Sequence, residues 1–104
     1  MKVIVNKKEI ELEIANTFFK KLKGFMGKKN IHTCLRFKTN SIHTFFMKEN
    51  IDVLLCDKNN KILYFYHNLS KNKIILPKKK VTKVFELPVD YFNIKLNDTV
   101  KIIK

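Results

Sequence analysis

The stretch Asn40–Asp57, NSIHTFFMKENIDVLLCD, contains the densest apolar runs of the chain and decides its fold. Ile42–Met47 is rich in β-branched and aromatic residues, and Ile51–Cys56 is an apolar run too short for a typical helix. Both runs are therefore predicted to be strands, joined by a polar turn at residues 48–50. Because side chains alternate along a strand and both faces of each run are largely apolar, we expect both strands to be central and covered on both sides.

Alternation of apolar and polar residues predicts further strands on either side of this stretch. They are Lys2–Val5, Ile10–Ile14, Thr33–Phe37, Ile62–His67, Val81–Leu87, Ile94–Leu96 and Thr99–Ile103. Asn16 or Thr17 can cap a short helix over residues 18–25. The pattern thus predicts a single mainly-β domain over residues 1–104, built as a small barrel-like or sandwich sheet with one short N-terminal helix.

Polar residues inside these apolar strands are the candidates for a site, because buried polar groups need partners. The candidate set is Arg36, His43, Thr44, Met47, Lys48, Asp52 and Glu86. We expect Asp52 and Glu86 to lie in one polar cluster with Arg36, His43 or Lys48. Such a cluster has two interpretations, an internal network that fixes strand register or the floor of a cleft for a small polar or anionic ligand.

Three motifs of the chain, Phe45-Phe46-Met47-Lys48, Ile51-Asp52-Val53-Leu54 and Val84-Phe85-Glu86-Leu87, resemble those of a known family in the same order. The family is the bacterial and archaeal domain-of-unknown-function family 192, which typically has a Phe-Trp-Met-Lys core, an Ile-Pro-Leu-Asp strand and a late Val-Leu-Glu. Gly24-Phe25-Met26 and Asn97-Asp98 correspond to two further segments, so the resemblance covers nearly the whole chain. It implies a small mainly-β barrel or sandwich. It implies no activity, because the family's biochemical role is not established.

The charge of the chain invites a comparison with nucleic-acid-binding proteins, since its formal net charge is +13. All but one of the 22 basic residues are lysines, and Arg36 is the exception. Proteins that recognise phosphates or bases specifically favour arginine, because its guanidinium group can donate two parallel hydrogen bonds to them. Specific nucleic-acid binding is therefore not predicted, whereas weak, salt-sensitive binding to polyanions is expected.

The sequence predicts a cytoplasmic protein without membrane association. No apolar run approaches the roughly 20 residues of a membrane helix, and the N-terminus lacks the apolar core of a signal peptide.

The cysteines and histidines indicate a reduced protein without a metal or cofactor. Cys34 and Cys56 are predicted to be packed, unbonded thiols. His32, His43, His67 and the two cysteines form no CxxC or HxxxH pair of the kind that structural zinc sites contain, although His32 and Cys34 could share a strand face.

The predicted function is non-catalytic: the binding of a small polar or anionic ligand, or of a protein partner, in a polar cleft of the β barrel. Two alternatives stay open. A small enzyme would use His43 and Asp52 with a cysteine as nucleophile. A weak nucleic-acid-associated accessory protein would use the diffuse positive charge. The sequence assigns no catalytic residue and no oligomeric state.

Overall fold

The computed structural model describes residues 1–14, 33–44 and 47–104, and the helix predicted over residues 18–25 lies outside them. The described residues form nine strands and no helix, so none of them belongs to a helix that could cross a membrane. The strands are β1 Lys2–Val5, β2 Lys8–Ile14, β3 Cys34–Phe37, β4 Ile42–His43, β5 Ile51–Cys56, β6 Ile62–Leu69, β7 Ile74–Ile75, β8 Lys83–Leu87 and β9 Lys101–Ile103. The prediction of a mainly-β fold is confirmed.

Seven of these strands form one curled sheet in the order β6-β5-β8-β3-β2-β1-β9. Neighbouring strands are antiparallel except β2 and β3, which are parallel. The two ends of the sheet approach each other, because Lys61 forms a bridge with Thr99 and the Ile62 amide donates to the Asp98 carbonyl at 2.8 Å. The architecture is therefore a half-barrel made of one sheet, the barrel-like form of the two that were predicted.

Strand β5 lies at the centre of the packing, as predicted, because all six of its residues are buried. Ile51, Val53 and Leu55 pack into one apolar cluster, whereas Leu54 and Cys56 pack into another. The first cluster also contains Leu35, Phe37, Met47, Ile75, Val81 and Val84, and the second contains Val3, Val5, Ile10, Leu12, Cys34, Ile62, Phe85, Leu87, Phe92 and Val100. The two faces of β5 thus contact two separate halves of the core.

Strand β4 is not a second central strand, so that prediction is wrong. It pairs with β7 in a separate two-stranded sheet, called the small sheet below, in which Ile42 lies opposite Ile75. The pairing becomes irregular after His43: the Thr44 amide still donates to the Lys73 carbonyl at 2.9 Å, but the Thr44 carbonyl accepts from the Asn72 amide instead of the Lys73 amide. Residues 45 and 46, which the prediction placed in the same strand, lie outside the described residues.

Candidate functional site

Asp52 is a buried carboxylate at the start of β5, with a relative exposure of 2%. Its Oδ1 accepts a hydrogen bond from the Asn68 amide at 2.7 Å and lies 3.0 Å from His67 Nδ1. Its Oδ2 accepts a hydrogen bond from the Asp90 amide at 3.0 Å. Because both oxygens have donors, the burial of this charge is compensated, and the carboxylate joins β5 to the end of β6 and to the turn after β8.

The backbone around Asp52 is shaped to supply these donors. Asn68 and Asp90 have positive φ angles of 53° and 60°, which asparagine and aspartate tolerate better than most residues. The register between β5 and β6 also shifts, since Ile51 lies opposite Leu69 but Val53 lies opposite Tyr66. This bulge faces Asp52, and it allows the Asn68 amide to bond to a side chain instead of to the sheet ladder.

His67 is held between two carboxylates at the protein surface. Its Nδ1 lies 3.0 Å from Asp52 Oδ1, and its Nε2 lies 3.2 Å from Asp90 Oδ1. The imidazole is half exposed and the Asp90 side chain is 76% exposed, so both are open to solvent in front of the buried Asp52. The three residues are called the Asp–His–Asp cluster below.

The Asp–His–Asp cluster is one place in the described part of the chain with ligands suited to a cation. One oxygen or nitrogen from each residue can be chosen so that all lie within 4.8 Å of one another. Carboxylate and imidazole ligands together suit several divalent metals. The sequence-based expectation that the protein has no metal site stays a prediction.

A groove of about 470 Å³ opens beside the Asp–His–Asp cluster. It is lined by Glu49 and Asn50, which precede β5, and by Pro88 and Val89, which connect β8 to Asp90. The Asn50 side chain also donates to Asn68 Oδ1 at 3.0 Å, which links the groove wall to the residue whose amide binds Asp52. The groove and the cluster together form the candidate site.

The candidate site is acidic although the chain as a whole is strongly basic. Three of the nine acidic residues of the chain, Glu49, Asp52 and Asp90, belong to it. Like charges repel and opposite charges attract over such short distances, so the local charge disfavours an anion and favours a cation. This charge argues against the anionic class of ligand in the sequence-based prediction.

The expectation that Asp52 and Glu86 share one polar cluster is not met. In the pairing of β5 with β8, Asp52 lies opposite Leu87 and Val53 lies opposite Glu86. Directly paired residues share a face of the sheet and successive residues alternate, so the two carboxylates lie on opposite faces. Both are buried, and Glu86 lies on the face of Val53 rather than beside the Asp–His–Asp cluster.

The other predicted site residues are distributed over the fold. Arg36 is half-buried in β3 opposite Phe85, while Met47 is buried in the apolar cluster around Val53. His43 in the small sheet and Lys48 before β5 are exposed. Within the described residues, none of these four is a hydrogen-bond partner of Asp52. Whether any of them contacts a ligand stays a prediction.

Thr44, the remaining predicted residue, is buried and serves the fold. Its Oγ1 donates to the Ser70 carbonyl at 2.7 Å and accepts from the Lys73 amide at 2.8 Å. The Asn72 amide donates to the Thr44 carbonyl at 3.1 Å. These bonds fasten the loop before β7 to the end of β4.

Sequence reasoning missed the residues that surround Asp52. The sequence presents His67 only as an isolated potential metal ligand, and it indicates no role for Asn68 or Asp90. The partners of Asp52 lie 15, 16 and 38 positions away in the chain. The one local signal is that asparagine and aspartate favour positive φ at strand ends. That signal locates turns but does not show which strand they flank.

The two cysteines are free and buried. Burial raises the pKa of the Cys34 thiol well above its usual value, and the charge of Glu86 acts in the same direction. Burial likewise raises the pKa of Cys56 to about 12. Because the thiolate is the nucleophile, these environments give no support to the enzyme alternative that uses a cysteine with His43 and Asp52.

Comparison with known proteins assigns the chain to a family. The sequence model of DUF192, described as an uncharacterised ACR family, matches residues 1–102. The chain belongs to the DUF192 family. This DUF192 chain is 37% identical over 100 residues to a UPF0127 protein of Pyrococcus abyssi, covering 86% of the chain and 85% of that protein. It is 34% identical over 86 residues to a UPF0127 protein of Thermococcus kodakarensis, covering 76% of the chain and 54% of that protein.

The DUF192 chain therefore spans little more than half the length of the T. kodakarensis relative. Among solved structures, a protein of unknown function from Novosphingobium aromaticivorans has a TM-score of 0.85 with this chain at 14% identity. The match covers 98% of this chain and 84% of that chain. At so low an identity the likeness shows the fold alone. The family assignment confirms the resemblance seen in the sequence and brings no activity with it.

Proposed function

We propose that this chain binds a small cationic ligand, an organic amine or a divalent metal ion, at the groove beside the Asp–His–Asp cluster. The observation that carries the proposal is that Glu49 lines a groove whose wall at Val89 directly precedes Asp90 of the Asp–His–Asp cluster, in a chain of formal net charge +13. The proposal keeps the predicted class of function, non-catalytic binding in a polar cleft. It replaces the predicted anionic ligand with a cationic one.

Within this proposal the three cluster residues have different roles. Asp52 is buried and both of its oxygens already accept from the protein, so it positions His67 and the turn at Asp90. Asp90 is mostly exposed, and within the described residues His67 is the one partner of its carboxylate. A carboxylate offers about four acceptor positions, so Asp90 can accept further hydrogen bonds from a ligand. The His67 imidazole lies between the buried carboxylate of Asp52 and the exposed carboxylate of Asp90.

The dimensions of the groove support a small ligand. Its volume of about 470 Å³ falls within the roughly 300–1,000 Å³ of small-molecule sites. Pro88 and Val89 supply an apolar surface, while Glu49 and Asn50 supply polar groups on the other side. This composition suits an amine with a short carbon chain, or a hydrated metal ion that keeps part of its water shell.

Titration of the ¹⁵N-labelled protein, followed by amide chemical shifts, tests the proposal. The cationic probes are ethanolamine, putrescine and Mg²⁺, and the anionic probes are acetate and succinate at the same ionic strength. We expect saturable shifts at Asn50, His67 and Asp90 with at least one cationic probe. Shifts with the amines would identify an organic ligand, and shifts with Mg²⁺ alone would identify a metal. Shifts at these residues with the acids, or with none of the probes, would overturn the proposal.

Two variants with the same loss of one negative charge make the test specific. Asp90→Asn removes the exposed carboxylate of the cluster and should abolish the saturable shifts. Asp57→Asn removes a carboxylate whose Oδ1 accepts from the Asn59 and Lys61 amides, away from the groove, and should leave the shifts unchanged. Equal titration of both variants would show that the response reflects net charge and not a site.

A further inference from the structure

A second groove, of about 420 Å³, lies along strand β6. One wall is formed by the Leu63–Tyr66 part of the strand, and the other by Ile94 and Leu96. Leu96 is 57% exposed, and Tyr64 is exposed as well. These side chains give the groove an apolar and aromatic character that the acidic groove does not have. It is called the β6 groove below.

The β6 groove follows an unfinished edge of the sheet. On its inner side β6 pairs with β5. On its outer side, the Ile62 amide donates to the Asp98 carbonyl at 2.8 Å, and the Ile62 carbonyl accepts from the Asn97 amide at 2.9 Å. Asn97 has a φ of 74°, and the strand predicted over Ile94–Leu96 is not formed. Beyond Ile62, no strand among the described residues pairs with this side of β6.

The opposite edge of the sheet shows what a protected edge looks like in this protein. Strand β9 has three residues, begins with Lys101 and is followed by Lys104. Short strands and lysines are common devices that prevent pairing with another chain. Strand β6 has eight residues, ILYFYHNL, and contains no lysine, although lysine is frequent elsewhere in the chain. Between the two register shifts of its pairing with β5, the β6 edge therefore lacks both of these devices.

Lysines stand around the β6 groove but not within the strand. Lys78 Nζ lies 5.1 Å from the centre of the Tyr64 ring. Lys61 immediately precedes β6, Lys95 lies between the two residues of the other wall, and both are exposed. The residues that line the groove include no acidic residue, and the carboxylate of nearby Asp98 already accepts from the Asn6 side chain and the Lys95 amide. The groove thus combines an apolar floor with a positive rim.

We propose that the β6 groove is the docking site for an extended peptide segment of a partner protein, in which apolar residues alternate with aspartate or glutamate. The peptide adds as a strand to the outer edge of β6 and continues the row of hydrogen bonds that stops at Ile62. Alternate side chains enter the groove while the acidic ones face the lysine rim, the usual division between backbone affinity and side-chain specificity in strand addition.

Two other occupants fit the same surface less well. A second copy of this chain would bring another formal charge of +13 to a positive rim, which opposes association. A single-stranded nucleic acid would use the lysines and stack on Tyr64. It would not use the open backbone edge or the aliphatic side chains of Leu63, Ile94 and Leu96. The peptide accounts for all of these features together.

Fluorescence anisotropy with a labelled ten-residue peptide that alternates Val and Glu tests the proposal at 0.15 M salt. We expect saturable binding, with amide shifts at residues 63–66 and 95. A peptide alternating Val and Lys should bind at least tenfold more weakly, and so should the Val–Glu peptide with alternate amides N-methylated, because it cannot pair with the edge. Equal binding of the N-methylated peptide would refute strand addition.

Matched variants separate the β6 groove from the general charge of the protein. Leu96→Glu places a carboxylate in the groove wall and should weaken binding of the Val–Glu peptide at least tenfold. Ile103→Glu adds the same charge at the other edge, at a residue of similar exposure, 47% against 57%, and should leave binding unchanged. Equal effects of the two variants would overturn the proposal, and so would concentration-dependent dimerisation through β6. Tighter binding of a dT12 oligonucleotide than of the peptide in this groove would also overturn it.

Discussion

Strands β4 and β5 come from neighbouring apolar runs of the same stretch, yet they occupy very different places in the molecule. Strand β5 has two strand neighbours and buries all six of its residues. Strand β4 is two residues long, pairs with β7 alone, and leaves His43 exposed. Apolar content therefore predicted that both segments are extended, but it did not predict which of them the rest of the chain covers.

The two sheets also differ in how much polar contacts contribute to holding them. The faces of β5 contact two apolar clusters, so burial of apolar surface is its main source of stability. The small sheet buries Ile75 in one of these clusters and is also fastened by the hydrogen bonds of Thr44 to Ser70 and Lys73. A short strand with an exposed face thus depends on directional polar contacts in addition to apolar burial. The following predictions test this contrast in order of decreasing effect.

The largest difference is expected in the reactivity of thiols in the two sheets. With a pKa of about 12, Cys56 has roughly two thousand times less thiolate at pH 8 than an ordinary cysteine of pKa about 8.5. The variant Ile74→Cys supplies an exposed thiol in the small sheet. Iodoacetamide should modify that thiol at least a hundredfold faster than Cys56 in the folded protein, as followed by mass spectrometry. Equal modification rates of the introduced thiol and Cys56 in the folded protein would contradict the prediction.

Removal of the same side chain from each sheet should have unequal costs. Ile51 in β5 has a relative exposure of 0%, and Ile74 in the small sheet has 60%. Ile51→Ala should lower the free energy of unfolding by about 2–5 kcal/mol, because it leaves a cavity in the core. Ile74→Ala should change it by no more than about 0.5 kcal/mol. Urea denaturation measures both, and similar midpoints for the two variants would refute the contrast.

The polar end of β5 should also contribute to stability. Asp52→Asn keeps the shape of the side chain but sets an amide group against backbone donors, and it should cost about 1–3 kcal/mol. Asp90→Asn, which alters an exposed contact with His67, should cost less than about 1 kcal/mol. Denaturant unfolding checks both values. A neutral or stabilising Asp52→Asn would indicate that the carboxylate is kept for binding and not for stability.

The small sheet should respond to the loss of one hydroxyl. Thr44→Val preserves the shape of the side chain but leaves the Ser70 carbonyl and the Lys73 amide without the Oγ1 partner, a cost of about 1–2 kcal/mol. Amide hydrogen exchange should accelerate in residues 70–75 and stay unchanged in β5. Uniform acceleration across both sheets would show that the small sheet is not a separate unit.

The smallest effect is expected at acid pH, in the turn after β5. The Lys61 and Asn59 amides donate to the Asp57 carboxylate and lower its pKa. A carboxyl whose pKa is lower in the folded state stabilises the protein above its ordinary pKa of about 3.9, and this contribution is lost as the pH falls through the folded pKa. The gap in urea midpoint between the wild type and Asp57→Asn should therefore be constant from pH 5 to 7 and narrow below pH 4. A difference in urea midpoint that widens as the pH falls would contradict the predicted sign of the Asp57 contribution.

Much of the sheet was predictable because its strands alternate strongly. The predicted bounds of Lys2–Val5 and Ile51–Cys56 agree with the structure, and both faces of β5 are covered as predicted. Strand order was not predictable, since nothing local shows that β8 lies between β5 and β3. The candidate site depends on that order, because Asp52 meets His67 and Asp90 through strand pairing rather than through spacing in the sequence.

The pairing of β1 with β9 has a mechanical consequence. Lys2 lies opposite Ile103 and Ile4 lies opposite Lys101, so the first and last strands run side by side in opposite directions. A force applied to the two chain ends would pull on the same end of this pair and open its hydrogen bonds one after another. We therefore expect the molecule to yield at low force under such a load, starting at Lys2 and Ile103. The buried centre around β5 would still be folded when this first step is complete.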